Sequence, residues 1–415
     1  MNDQTLSGDV LLQRFRALDE FLHVHQELWR PRPFIQHRQL PWENSHPELG
    51  RWLRTRSLAQ AEAAHGQPQL LQQAPPPFPE LARQSANLSL IGDLPQRASA
   101  PPPARLSVDV PGRKWQQIRA FADSLQFQQA PQHWLDWCAG KGHLGRLLAQ
   151  DGNPLTCLEH NPALIAAGRQ LSLRQGLAAQ HRQQDVLAAD AIEQLKEEHS
   201  PVALHACGDL HVRLMQLASR VGCRQLAIAP CCYNRIDSPH YQALSGAAQA
   251  SGLQLSLDDL ALPLSETVTA GARVRRQRDL SMARRLGFDL LQRQLRNIDQ
   301  YLPTPSLPTA WLEKDFADYC RDLAALKELP APAATTDWPS LERQGQQLLA
   351  EVRNLELLRA LFRRPLELWL LLDRALYLQE RGYDVRLGRF CSHNLSPRNL
   401  LLLAERPAVA HTICG

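Results

Sequence analysis

From about residue 112 the chain alternates short apolar runs with amphipathic stretches, a pattern that predicts strands separated by helices. Lys114 to Leu125 has helical spacing, and the strand His133 to Cys138 follows, with a glycine-rich turn and a helix from His143. Leu155 to Glu159 reads as a second strand and Ala163 to Gln175 as a helix. A weak third strand covers Gln180 to Gln184, with a helix over Ala189 to Glu198. Val202 to Ala206 is the fourth strand, Val212 to Arg220 a helix, and Gln225 to Ala229 the fifth strand. Such alternation predicts parallel βαβ units with helices on both faces of an open sheet. The alternation then lapses, and residues 240–360 read as mostly helical, with a proline-marked loop around Pro303 to Pro308 and Pro330 to Pro332. It returns with a strong helix over Leu366 to Glu380 and two strands, Val385 to Phe390 and Asn399 to Ala404, expected to rejoin the sheet.

The expected fold is therefore α/β: a doubly wound, mostly parallel, seven-stranded Rossmann-like sheet with a helical N-terminal region and a largely helical insertion. The regions are residues 1–111, a helical and irregular N-terminal region; 112–239, the first part of the sheet domain; 240–364, the insertion; and 365–415, the final helix and strands. Within the first region, Leu11 to Leu28 and Leu49 to Glu62 look helical, and Pro75 to Pro77 and Pro101 to Pro103 mark extended breaks.

Composition changes this picture little. An apolar share of 44% over 415 residues supports a sizeable core, and a net charge of +4 says little about partners. Lys114, Lys141, Lys196, Lys314 and Lys327 are the only lysines, so an arginine-rich stretch is weak evidence for nucleic-acid binding. The N-terminus lacks a secretory pattern, and no apolar run reaches the ~18 residues of a membrane span. Nine cysteines without regular spacing fit free thiols in a reducing compartment. The expectation is a soluble, cytoplasmic protein that does not engage membranes.

The sharpest chemical signal is the run Asp136-Trp137-Cys138-Ala139-Gly140-Lys141-Gly142-His143-Leu144-Gly145. A glycine-rich turn between a first strand and a first helix lets a ligand approach the backbone at the carboxyl edge of the sheet. A dinucleotide fingerprint would place its first glycine where Cys138 stands, so the turn suits a cofactor without a pyrophosphate. Glu159, with His160 beside it, follows the second strand and is placed to take two ribose hydroxyls. Asp185, next to Val186, follows the third and can accept from an adenine amino group. Together these positions read as a site for S-adenosyl-L-methionine, lined by Asp136, Cys138, Ala139, Gly140, Gly142, His143, Leu144, Glu159, His160, Asp185 and Val186.

Two further segments share that edge. In His205-Ala206-Cys207-Gly208-Asp209-Leu210-His211, His205 and Asp209 are candidates to orient or deprotonate an acceptor, while Asp209 can equally cap the helix from Val212. In Pro230-Cys231-Cys232-Tyr233-Asn234-Arg235, Tyr233 and Asn234 offer a stacking face and an amide beside the acceptor, unless Tyr233 packs in the core. Cys138, Cys207, Cys231 and Cys232 would line one rim. No pair has the spacing of a zinc knuckle, so no metal is expected, and small buried thiols packing near the ligand are the preferred reading.

These three segments resemble the methyltransferase-like protein 25 family. Leu371 to Glu380 and Ser396-Pro397-Arg398-Asn399 are similar to its closing segments. The resemblance covers roughly residues 112–240 and 365–405 and implies a methyltransferase that uses S-adenosyl-L-methionine. A more distant resemblance, to tRNA 2′-O-methyltransferases of the acceptor stem, rests on the G-K-G-H-L turn, an H-x-C-G segment and a C-C-H segment in which Tyr233 replaces the histidine. It implies RNA as acceptor. The arginine-dense run Arg273, Arg275, Arg276, Arg278, Arg284, Arg285, Arg293 and Arg296 either meets RNA phosphates or is a solvated helical face. Protein methylation, and a non-catalytic cofactor-binding scaffold, are the alternatives to RNA methylation.

Overall fold

A computed structural model describes residues 4–97, 100–265 and 271–407. The strands are β1 (Leu6–Ser7), β2 (His133–Trp137), β3 (Leu155–Glu159), β4 (Ala179–Gln183), β5 (His199–Leu204), β6 (Gln225–Ala229), β7 (Asp384–Arg389) and β8 (Leu400–Glu405). They form one sheet in the order β1-β7-β8-β6-β5-β2-β3-β4. Strands β2 to β6 pair in parallel, and β8 runs antiparallel between β6 and β7. This is the doubly wound, Rossmann-like sheet that the pattern predicts. Its eighth strand, β1, is two residues long and antiparallel to β7, too short to leave a period-2 signal.

Burial explains why some strands read clearly. All residues of β6 and β8 are buried, as both faces of the sheet are covered, so they stand as continuous apolar runs. Strand β4 lies at the edge and buries only His181, hence its weak signal. The helix expected over Ala189 to Glu198 is instead a 3-10 segment, Ala189–Gln194, and β5 begins at His199. Pro201 sits inside β5 opposite Leu135, and a proline within a run argues against a central strand, which is why the apolar pattern starts only at Val202. The helix expected over Leu49 to Glu62 is two helices, Pro47–Arg54 and Leu58–Ala64. Ser57 restarts the second with a capping box, accepting from the Gln60 N–H at 3.2 Å and donating its own N–H to Gln60 Oε1 at 2.9 Å.

The chain divides into two compact units. One contains the described residues of 4–23, 88–265 and 364–407, and therefore the whole sheet; the other contains 24–87 and 271–363. Parts of the N-terminal and middle regions thus share a core of their own. In that second unit the long helices Ala272–Arg296 and Trp338–Ala360 pack along each other, with Phe288, Leu291, Phe316, Tyr319 and Leu341 buried at one end.

Within the sheet unit, the helix Arg363–Gln379 carries a fully buried carboxylate, Asp373. It accepts from Tyr241 Oη at 2.5 Å, from the N–H groups of Leu244 and Ser245 at 2.9 and 2.7 Å, and from Ser245 Oγ at 2.7 Å. This one side chain fixes the path of residues 241–245 after the fifth parallel strand. Asp373→Asn puts an amide N–H₂ against groups that are all donors, and a cost of about 2–4 kcal/mol is expected. Urea unfolding followed by circular dichroism checks this; a change below about 0.5 kcal/mol, the range of ordinary surface substitutions, would contradict it.

Candidate active site at the carboxyl edge of the sheet

The strand order reverses between β2 and β5, both of which pair only with parallel neighbours, so the loops after β2, β3, β5 and β6 gather at one edge. The turn after β2 has three residues with positive φ: Cys138 at 58°, Gly140 at 58° and Gly142 at 71°. Nothing lies within 4 Å of where a Cβ on Gly140 would be, so this face of the turn is open. The Gly140 N–H donates to Glu159 Oε2 at 2.9 Å, and the Asn161 N–H to Oε1 at 2.9 Å. Each carboxylate oxygen of Glu159 keeps a lone pair for another donor. Asp136, almost fully buried, accepts from the Gly145 N–H at 2.9 Å, and burial pushes its carboxyl up to about 7. Asp185 is exposed beyond the end of β4 and accepts from the Leu187 N–H at 3.0 Å; His160 is exposed after β3.

The loops after β5 and β6 are stitched together. Gly208 has φ 54°, and a Cβ there would lie 1.7 Å from the Arg235 carbonyl oxygen, so only glycine fits. The Asp209 N–H donates to that carbonyl at 3.0 Å, and the Asp237 N–H donates to Asp209 Oδ2 at 2.8 Å. A chain of buried groups braces the first loop from beneath. Arg374 Nε donates to His211 Nε2 at 2.7 Å, and His211 Nδ1 donates to the Ala206 carbonyl at 3.0 Å, which fixes the neutral tautomer. Burial, then the Arg374 charge, holds His211 well below its ordinary pKa.

The sequence-predicted residues separate into three groups. Cys138, Ala139, Gly140, Glu159, His160 and Asp185 lie partly or fully accessible around the open turn. Gly142, His143, Leu144 and Val186 are buried. Leu144 belongs to the core with Trp134 and Leu155, and His143 faces Arg146, whose Nη2 lies 2.8 Å from Nδ1, so these two are supports beneath the turn. On the acceptor side, His205 is exposed with φ 69°, and its Nε2 lies 3.1 Å from Gln117 Oε1. Loss of hydration against the surrounding protein, then Lys114 and Arg398, hold its pKa below the ordinary value. Asn234 is half-buried and, among the described residues, its amide makes no side-chain hydrogen bond.

Three expectations need correction. Tyr233 presents no stacking face: it is fully buried, with Arg374 5.3 Å from its ring centroid and His211 edge-on at 6.5 Å. Asp209 does not cap a helix from Val212; the helix is Asp209–Val221, and the carboxylate binds the Asp237 N–H instead. The arginine-dense run is not a uniform basic face. Arg284 donates to the Trp311 and Lys314 carbonyls, Arg285 to Thr304 and Pro305, and Arg293 to Asp289 and Asp299, while Arg273, Arg275 and Arg276 remain exposed. Sequence reasoning assigned no site role to Lys114, Gln117, Arg146 or Arg374. Arg146 and Arg374 left a signal, each as a charge inside an apolar helical stretch.

The rim also gathers thiols. Cys207 and Cys231 have their sulfurs 3.1 Å apart, and Cys232 joins them so that all three sulfurs lie within 4.8 Å of one another. The Cys231 thiol hydrogen bond and the Arg235 charge hold Cys207 down at about 6, and the same contact pushes Cys231 up. Cys138 stands apart, with burial pushing its thiol up to about 12.

A methyltransferase-domain family matches residues 113–239, the segment holding β2 to β6 and every loop just described. That segment is similar to a methyltransferase domain, which supports the expectation of a methyltransferase. No curated protein matches the chain. A solved structure described as "Conversion of a Disulfide Bond into a Thioacetal Group during Echinomycin Biosynthesis" is similar at 22% identity, with a TM-score of 0.21, over 33% of this chain and 54% of its own. The likeness spans about half of that protein. Among the described residues, no helix is long and apolar enough to cross a membrane.

Two measurements follow from this geometry. Cys138 is a non-glycine residue in the left-handed region, which costs roughly 1–2 kcal/mol. Cys138→Gly should therefore be more stable than Cys138→Ala by about 1 kcal/mol in denaturant unfolding, and equal stabilities would show that the turn is unstrained. The second concerns pH. Burial holds His143 at about 3, His181 at about 4 and His199 at about 4 in the folded chain. Unfolding raises them to the ordinary value near 6.5, so the unfolded state binds more protons between these limits and stability falls as pH drops below about 6.5. Asp136, at about 7 when folded, acts in the opposite sense between about 4 and 7. Three histidines outweigh one carboxyl. The melting temperature should fall steadily from pH 7 to 5, more steeply in Asp136→Asn; a flat or rising profile would contradict the assignment.

Proposed function

We propose that the chain transfers a methyl group from S-adenosyl-L-methionine to RNA. The observation that carries the cofactor reading is the open face of Gly140 beside Glu159. A left-handed turn with no side chain admits the amino-acid end of such a molecule against the backbone. Glu159 retains one lone pair on each oxygen for a ribose diol, and exposed Asp185 can accept from an adenine amino group. This donor set fits the cofactor, and the methyltransferase-domain match over the same residues supports it.

When bound, S-adenosyl-L-methionine supplies a sulfonium methyl group that an in-line nucleophile can take. The chain's own part is to hold the acceptor and manage its proton. The lowered pKa of His205 favours its neutral form, whose imidazole can accept a proton from a hydroxyl. The Asn234 amide can hold an amine, as can a backbone carbonyl near Pro230. RNA as acceptor is supported by the resemblance to acceptor-stem tRNA 2′-O-methyltransferases and by the exposed Arg273, Arg275 and Arg276. A protein acceptor is the second reading, and the burial of Tyr233 favours it, since the rim has lost its base-stacking group.

Titration calorimetry tests the cofactor step. The wild-type chain should bind S-adenosyl-L-methionine and S-adenosylhomocysteine, and Glu159→Ala should weaken both by about 1.5–3 kcal/mol. Folded protein that binds neither would overturn the reading. For the acceptor, the chain is incubated with tritium-labelled cofactor and a lysate from cells lacking it. Label in the RNA fraction, lost in His205→Ala at unchanged cofactor affinity, supports RNA; label in protein alone refutes it.

A further inference from the structure

We propose that Cys207, Cys231 and Cys232 form a three-thiolate site for a divalent cation of the zinc class, at the open ends of β5 and β6. The inference does not rest on the cofactor reading. Three ligand sulfurs within 4.8 Å of one another match a cation centre closely: at a zinc–sulfur distance of about 2.3 Å, tetrahedral thiolates sit roughly 3.8 Å apart. The 3.1 Å contact between Cys207 and Cys231 needs to open by only a fraction of an ångström.

The site is built rather than incidental. Cys207 comes from the loop after β5, and Cys231 and Cys232 from the loop after β6, so spacing along the chain could not reveal them. Two backbone-anchored hydrogen bonds hold these loops together, Asp209 N–H to the Arg235 carbonyl and Asp237 N–H to Asp209 Oδ2. Gly208, adjacent to Cys207, permits the approach because a Cβ would collide with Arg235. The Arg374–His211–Ala206 chain fixes the same loop from below. Nearby charge also favours the bound state. Three thiolates on a dication leave one negative charge, and the Arg235 guanidinium acts on Cys207 and that of Arg398 on Cys232. Soft sulfur ligands select zinc-class ions over magnesium or calcium.

Among the described residues no fourth side chain completes the cluster. Three protein ligands with an open fourth position are the pattern of catalytic zinc sites, where water or a substrate atom fills the gap. Cys207 Sγ lies 3.5 Å from the His205 carbonyl oxygen, so the cluster shares the rim that carries His205.

The test uses the full chain, purified under reducing conditions without chelator. Elemental analysis should find about one zinc per chain. After removal of metal, cobalt(II) should restore a stoichiometric sulfur-to-cobalt charge-transfer band. Cys207→Ser and Cys232→Ser should lose the band, and Cys391→Ser should keep it, with circular dichroism confirming fold. A second readout needs no variant: zinc should protect Cys207, Cys231 and Cys232 of the wild-type chain from alkylation, scored by mass spectrometry. Absence of bound metal together with equal alkylation with and without zinc would overturn the proposal. A Cys207–Cys231 disulfide that persists in metal-free protein and is insensitive to zinc would overturn it too.

Discussion

The hydrogen bond from the Gly145 N–H to buried Asp136 is the constraint on which the site depends. It ties the end of β2 to the first turn of the next helix and leaves only residues 138–142 to cross between them. So short a crossing bends back on itself, and it does so through left-handed residues at Cys138, Gly140 and Gly142. The same bend turns the Gly140 N–H towards Glu159 and leaves the outer face of the turn bare. Burying a carboxyl is unfavourable, as its raised pKa records, but the group gains a backbone donor and the nearby charge of Arg146. Arg146 in turn faces His143, so the floor of the turn is polar and internally paired.

The opposite wall of the site is held from far along the chain. The helix Arg363–Gln379 contributes Arg374 to the loop after β5 and Asp373 to the segment after β6. Strand β8 inserts between β6 and β7 and completes the same edge. The methyltransferase-domain match ends at residue 239, yet the groups that fix the acceptor loops lie beyond residue 370. A fragment confined to the matched segment would lack the partner of His211 and the strand beside β6. Loop geometry and sheet completion are therefore one structural problem, solved by the C-terminal elements.

What could be read in advance follows from burial and range. Strands β3 and β6 were legible to the residue because both are short, mostly apolar and almost wholly buried runs bounded by turns. The start of β5 was hidden by Pro201, and β4 was weak because its outer residues face solvent. The loops after β2, β3 and β4 could be placed at one edge because their residues follow successive strands. The surroundings of the loops after β5 and β6 could not. Tyr233 carries the same hydroxyl and ring whether it faces a ligand or Arg374, and nothing nearby in sequence distinguishes the two. Cys207 meets Cys231 and Cys232 only through the pairing of β5 with β6. The partners of Arg284 and Arg285, and Asp299 as one partner of Arg293, lie beyond the end of their own helix, a fold-back that helical periodicity does not report.

On the proposed reading, the turn after β2 and the carboxylate after β3 together cradle the cofactor. A crystal structure of the chain grown with S-adenosylhomocysteine tests it most directly. The account predicts density with the amino-acid end against Cys138 to Gly142, both ribose hydroxyls on Glu159 and the adenine beside Asp185. Density at any other edge of the sheet, or an empty turn at saturating ligand, would contradict it.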